Sequence, residues 1–171
     1  IGFDHMNLLG NTLEAIAREK AGIIKKNIPV VIGEYLPETK PVFEKIATER
    51  SAPIYFSGTP RYVSDWKYGK NHSTVTVVNK ATDDHEIYQL DLPGYYQNKN
   101  LLTVLESVQQ LQQKGWRITR QQVKEGLAQA KKLTGLHGRW ELIHTHPDII
   151  LDVAHNEDGI KQLLIQLEMA D

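Results

Sequence analysis

The run Ile28-Pro29-Val30-Val31-Ile32-Gly33 decides the fold class. It is short, apolar and β-branched, and it is bounded by proline and glycine, which suits a buried strand. Downstream, residues 41–52 open on Pro41 and carry Val42, Ile46 and Ala47 on one helical face. Pro53-Ile54-Tyr55-Phe56 then reads as another strand. Strand, helix and strand in that order predict an α/β architecture with parallel pairing. Upstream, Asn11 and Glu14 have capping-box-like spacing, and Leu13, Ile16 and Ala17 give a helical stripe that ends near Gly22.

Residues 59–92 change character. Tyr, Thr and Val alternate with polar residues around turns at Tyr68-Gly69-Lys70-Asn71 and Thr82-Asp83-Asp84, the pattern of a small antiparallel meander set on the α/β body. A helix over about 98–114 follows, with Leu101, Leu105, Val108 and Leu111 at helical spacing and a stop at Gly115. The next helix has Thr119 as N-cap, Gln122 at the third helical position and Ile118 with Val123 as a hydrophobic staple, and it is expected to run to about Lys132. The Gly135–Gly138 stretch breaks the composition, so a domain boundary is expected there, dividing 1–134 from 135–171. Beyond it lie a strand (Trp140–Ile143), a second strand (Ile149–Val153) and a helix over about Glu157–Met169, the expected start of a βαβ-type unit.

Composition bounds the function more than it specifies it. The chain has 171 residues, 40% hydrophobic, enough for one domain or one domain and part of another. With 20 Lys and Arg against 21 Asp and Glu, and only Lys131-Lys132 as a basic pair, no nucleic-acid footprint is expected. The absence of cysteine excludes disulfides and thiolate metal sites and fits a reducing cytoplasm. No apolar run approaches a membrane span. An opening on Ile1, without an initiator Met, leads to the expectation of a piece of a longer protein, with exposed apolar edges and a tendency to self-associate.

Four places could carry chemistry. Asp4-His5 precedes the first helix and Lys20 lies near that helix's end; the histidine is a candidate metal or phosphate ligand or else a local hydrogen-bonding group. Asp152-Val153-Ala154-His155-Asn156 follows the apolar strand Ile149-Ile150-Leu151, where α/β proteins place ligands. There Asp152 could accept from a ribose hydroxyl and His155 could meet a phosphate, or Asp152 or Asn156 could simply cap the next helix. Arg139, after Gly138, offers a planar guanidinium to phosphate oxygens. Gly94-Tyr95-Tyr96-Gln97-Asn98-Lys99-Asn100 leads into a helix whose first turn presents amides and carboxamides. No Gly-x-x-x-x-Gly-Lys-Ser/Thr loop and no Gly-x-Gly-x-x-Gly occurs in the sequence.

Taken together, these segments resemble the dihydrofolate synthase/folylpolyglutamate synthase family of the Mur ligase superfamily. Residues 1–25, Ile1-Gly2-Phe3-Asp4-His5 through Leu9-Gly10-Asn11-Thr12-Leu13-Glu14 to Glu19-Lys20-Ala21-Gly22-Ile23-Ile24-Lys25, are similar to its "GxDHxxxLGxTLExIAxEKAGIIK" signature. Gly94, Gln97 and Asn100 are similar to its "GxHQxxN" segment, Gly138-Arg139-Trp140-Glu141 to its "GR(F/W/L)E" turn, and Leu151-Asp152-Val153-Ala154-His155-Asn156 to its "LDxAHN" motif. One position departs from the pattern: the histidine of "GxHQ" is Tyr96 here.

The resemblance implies part of a Mur-ligase-type ATPase domain with a small antiparallel β insertion, followed by the start of a Rossmann-like C-terminal domain. It implies ATP and two Mg²⁺ ions, with His5 as a metal ligand and Lys20 carbamylated to help hold the second ion. It assigns Asn100 to adenine, Arg139 to the ATP phosphates, and Asp152 and His155 to the ribose and phosphates, with Lys20, Arg139 and His155 serving catalysis. Expected substrates are dihydropteroate or a reduced folate, L-glutamate and ATP, joined through an acyl phosphate by a monomeric cytoplasmic enzyme that needs no nucleic acid or membrane. The phosphate loop is expected upstream of Ile1, leaving this piece inactive alone. The alternatives are a peptidoglycan Mur ligase and a non-catalytic nucleotide-binding module.

Overall fold

The computed structural model describes residues 12–170. Helix α1 (Leu13–Ala21) begins at Thr12, whose hydroxyl accepts the Ala15 N–H at 3.1 Å. The cap therefore falls one residue beyond the expected Asn11, which lies outside the described residues. Strand β1 (Val30–Ile32) and strand β2 (Ile54–Phe56) flank helix α2 (Lys40–Glu49), and the two strands pair in parallel with Val30 opposite Ile54 and Ile32 opposite Phe56. Ala17, Ala21, Ile24, Val30, Ile32, Phe43 and Ala47 form the core of this unit. Small alanines on α1 and α2 let the two helices lie close to each other over this core.

Strands β3 (Arg61–Lys67), β4 (Ser73–Asn79) and β5 (His85–Leu90) make the expected antiparallel meander in the order β3-β4-β5. One face packs on helix α3 (Gln97–Gln113) through Val75, Val77, Tyr88 and Leu90 against Leu101 and Leu105. Burying a side chain such as Leu101 stabilises by roughly 1.5–3 kcal/mol. Val63 and Trp66 both pack against this core although they are three residues apart, a separation that puts side chains on opposite faces of a regular strand. A bulge at Ser64 resolves the parity: Val63 pairs with Val77, Asp65 with Thr76 and Trp66 with Val75.

Helix α4 (Arg120–Ala128) carries the predicted capping box, with Thr119 Oγ1 accepting the Gln122 N–H and Gln122 Oε1 accepting the Thr119 N–H. It does not continue to Lys132. A short helix α5 (Ala130–Thr134) starts afresh after Gln129, because Asp91 Oδ2 accepts the Lys131 N–H at 2.9 Å. A carboxylate 40 residues away thus caps the second piece and breaks the first. The expected βαβ start is also revised: β6 (Glu141–His144) and β7 (Ile149–Leu151) form an antiparallel hairpin, and helix α6 (Glu157–Ala170) follows.

Helix α6 keeps Leu163 and Ile165 partly buried and leaves the rest of its apolar stripe uncovered. Gln166 is fully buried, whereas Ile160, Leu164 and Leu167 are about half exposed. The exposed apolar edges expected from the sequence are found here and on β7, at Ile149 and Leu151. Among the described residues, no helix is long and apolar enough to cross a membrane.

Candidate functional site

The cleft is built where three chain segments meet. Gly33 directly follows β1, and it abuts α3 so closely that a Cβ there would lie 2.4 Å from Thr103 Oγ1. The first turn of α3 supplies Tyr96, Lys99 and Asn100, and the loop from Asp152 to Asn156 closes the other side, with Arg139 beside it. Together they enclose a cleft of about 540 Å³, within the roughly 300–1,000 Å³ of small-molecule sites. Asn100, Arg139, Asp152 and His155, chosen from the sequence and spread over two expected domains, all line it.

Asp152 is the most constrained of them. Its Oδ2 accepts the Trp140 N–H at 2.7 Å and the Tyr96 hydroxyl at 2.9 Å, and its Oδ1 accepts the Ala154 N–H at 2.8 Å. A carboxylate has about four acceptor sites, so Oδ1 retains one for a ligand hydroxyl. The helix cap is supplied instead by Asn156, whose Oδ1 accepts the Gly159 N–H. Burial, and then the bond to Asp152, push the Tyr96 phenol well above the ordinary tyrosine range, so it remains a donor at neutral pH. Substituting tyrosine for the expected histidine thus provides a neutral donor that reaches across the cleft.

The turn carrying Arg139 is held from behind. Gly138 takes φ +70°, and a Cβ there would approach Val153 Cγ1 to 2.7 Å. Glu141 Oε2 accepts the Gly138 N–H at 2.9 Å, while Oε1 pairs with Lys131 Nζ at 2.6 Å. The hydrogen bond from Lys131, then those from Gly138 and His137, lower the Glu141 carboxyl to about 2. Arg139 Nη1 donates to Gly138 O at 3.1 Å, His155 Nδ1 lies 2.8 Å from Val153 O, and Asn100 Nδ2 donates to Gln97 Oε1 at 2.8 Å. Lys99 pairs with Glu34 at the outer rim. A guanidinium, an imidazole, a carboxamide and a mostly satisfied carboxylate facing one cleft suit a polar anion with an attached ring and hydroxyls.

Of the two expected metal residues, only Lys20 can be placed relative to this cleft. Lys20 is exposed on the last turn of α1 and does not line it, and His5 lies outside the described residues. Among the described residues no group of three or more His, Asp or Glu side chains could hold a metal ion. Sequence reasoning missed the rim pair Glu34 and Lys99, although Glu34 follows directly on Gly33, just after β1. It also missed Gln166, for which the helical pattern gave no signal.

Comparison with known proteins gives consistent matches. The chain is 36% identical over 172 aligned positions to the folylpolyglutamate synthase of Lacticaseibacillus casei, covering 98% of this chain and 38% of that protein. It is 34% identical to the dihydrofolate synthase/folylpolyglutamate synthase of Bacillus subtilis strain 168, covering 95% and 37%. The solved FPGS–AMPPCP–folate complex matches with a TM-score of 0.87 at 30% identity, covering 100% of this chain and 41% of that one. The chain therefore spans well under half the length of these relatives. Its mixed α/β fold is similar to theirs. No protein-family model matches the chain.

Proposed function

We propose, from the premise that this chain is homologous over nearly its whole length to the dihydrofolate synthase/folylpolyglutamate synthase family, that the protein carrying it is an ATP-dependent ligase adding L-glutamate to dihydropteroate, reduced folates or both. The observation that carries the proposal is the convergence of Asn100, Arg139, Asp152 and His155 on one nucleotide-sized cleft. The names of the relatives favour the folate branch over a peptidoglycan ligase, and their AMPPCP complex favours a working nucleotide site over a non-catalytic module. The same proposal makes residues 1–134 part of a Mur-ligase-type ATPase domain and residues 135–171 the start of a Rossmann-like domain. It places the enzyme in the cytoplasm as a monomer acting on small molecules.

The chemistry explains why such a cleft is needed. A carboxylate is a poor electrophile, so ATP first converts it to an acyl phosphate, and the glutamate amine then displaces phosphate. Phosphoryl transfer depends mainly on positioning and charge neutralisation. In this scheme the Asn100 carboxamide reads adenine, and the remaining acceptor site on Asp152 Oδ1 takes a ribose hydroxyl. Arg139 and His155 face the phosphates, where a guanidinium can bind two oxygens at once. Mg²⁺, when bound, neutralises phosphate charge, and His5 and Lys20 are the residues this family resemblance assigns to hold it. The exposed Lys20 amine is accessible to CO₂ for carbamylation, and other metal ligands would come from outside the described residues.

The test is glutamate-dependent phosphate release from ATP by the protein at its full natural length, with dihydropteroate and then a reduced folate as acceptor. Release that requires both acceptor and glutamate supports the ligase. Release without either, or none from a folded protein, refutes it.

A further inference from the structure

The two sides of the cleft are joined by two side chains, Tyr96 from its lining and Gln166 from behind it. Gln166, in the middle of α6, is fully buried, and both ends of its amide are used. Its Oε1 accepts the Tyr95 N–H at 2.6 Å, and its Nε2 donates to Pro93 O at 3.0 Å. Tyr95 lies just before α3, where N–H groups have no partner within their own helix. Gln166 therefore caps the approach to α3 from a different segment. One residue further on, the Tyr96 hydroxyl donates to Asp152 Oδ2 at 2.9 Å. Three bonds within four residues thus tie the start of α3, which carries Asn100, to the loop and helix that carry Asp152 and His155.

We infer that Gln166 and Tyr96 are positioning residues that fix the width of the cleft, holding Asn100 at the distance from Asp152 and His155 that a nucleotide spans. The inference rests on the proposed ligase activity. A buried glutamine that satisfies two main-chain groups is geometrically demanding, and leucine or methionine would fill the volume better if packing alone were required. Among the described side chains of α6, Gln166 alone is fully buried, so the helix meets the approach to α3 through this polar contact. Because the bonds exist without ligand, they contribute equally to substrate and transition-state binding. Their loss should raise KM without lowering kcat.

The experiment compares Gln166→Met, Tyr96→Phe and the double variant with the unsubstituted protein at its full natural length. It measures kcat and KM for ATP in the glutamate-dependent assay, and amide hydrogen exchange at Tyr95. Gln166→Met is expected to raise the KM for ATP about tenfold with kcat within twofold, and to speed Tyr95 exchange by a similar factor. Tyr96→Phe should raise KM by about threefold, and the double variant by more than either alone. A fall in kcat with KM unchanged would mean a purely structural role and overturn the inference. Faster Tyr95 exchange with an unchanged KM would also overturn it, since the bond would then exist without setting the cleft. If the unsubstituted protein releases no phosphate with either acceptor, the ligase proposal itself falls and this inference falls with it.

Discussion

Replacing Asp152 with asparagine isolates one charge at the centre of the cleft while leaving its volume intact. The carboxylate accepts three hydrogen bonds, two of them from the main-chain N–H groups of Trp140 and Ala154. An asparagine has one acceptor oxygen, so whichever way its amide is turned, one of those N–H groups faces an NH₂. Tyr96 can adapt by rotating its hydroxyl, but a main-chain N–H cannot. Stranding a largely buried donor costs about 2 kcal/mol, whereas Asp152→Ala, which removes all three acceptor contacts, should cost roughly 4 kcal/mol. Amide hydrogen exchange reads this directly. At about 1.4 kcal/mol per factor of ten, one of the Trp140 and Ala154 amides should exchange about thirtyfold faster in Asp152→Asn. The Leu105 amide in the core of α3 should not change. If both loop amides stay within about threefold of their original rates, the carboxylate is not the organising group of the cleft.

Three further outcomes are expected. The folded-state carboxyl of Glu141 is lowered from 4.5 to about 2, so its stabilisation should be complete above pH 4.5 and lost as pH falls toward 2. Glu141→Gln should remove that component, so denaturation midpoints of parent and variant should converge in acid, and a constant gap from pH 5 to pH 2 would contradict it. Gly138→Ala combines a left-handed backbone with a 2.7 Å approach to Val153 Cγ1 and should destabilise by about 2–3 kcal/mol; a midpoint unchanged in urea would show that the turn relaxes freely. On the proposed ligase activity, Lys20→Ala in the protein at its full natural length should leave the circular dichroism spectrum intact and abolish glutamate-dependent phosphate release, so an active variant would remove Lys20 from the chemistry.

Local signals carried much of the fold. A proline-bounded β-branched run, a Thr-x-x-Gln capping box and turn residues at Gly69 and Asp83 each act within a few residues. The sequence therefore located β1, α4 and the meander. What it could not locate were effects that act over long separations. Asp91 splits the expected helix at Gln129 because a side chain far away in sequence competes for its N–H groups. The contact of α6 with the approach to α3 runs through Gln166, which reaches Pro93 and Tyr95 from more than 70 residues away in sequence, and no helical pattern signals it. The hairpin of β6 and β7 has a similar origin: strand signals do not encode which strand pairs with which. The candidate site was read by a different route from the fold around it. Taken one at a time, Asn100 and Arg139 read equally well as ordinary helix-start and loop residues, and Asp152 as a helix cap; it was the resemblance of four motifs to one family that singled out Asn100, Arg139, Asp152 and His155 before the cleft joined them.

The bulge at Ser64 also gives β3 one place where its length can change. With Ser64 deleted, Val63 and Trp66 would stand two residues apart in a regular ladder, opposite Val77 and Val75, and both would still face the core. Removing two residues between them would instead set them on opposite faces. Among natural variants of this protein, a single gap between Val63 and Trp66 should therefore keep both apolar residues, whereas a paired gap there should coincide with an apolar residue moved by one position. An alignment that closes the single gap by sliding Trp66 along the strand would have matched the length while misplacing the wall of the core.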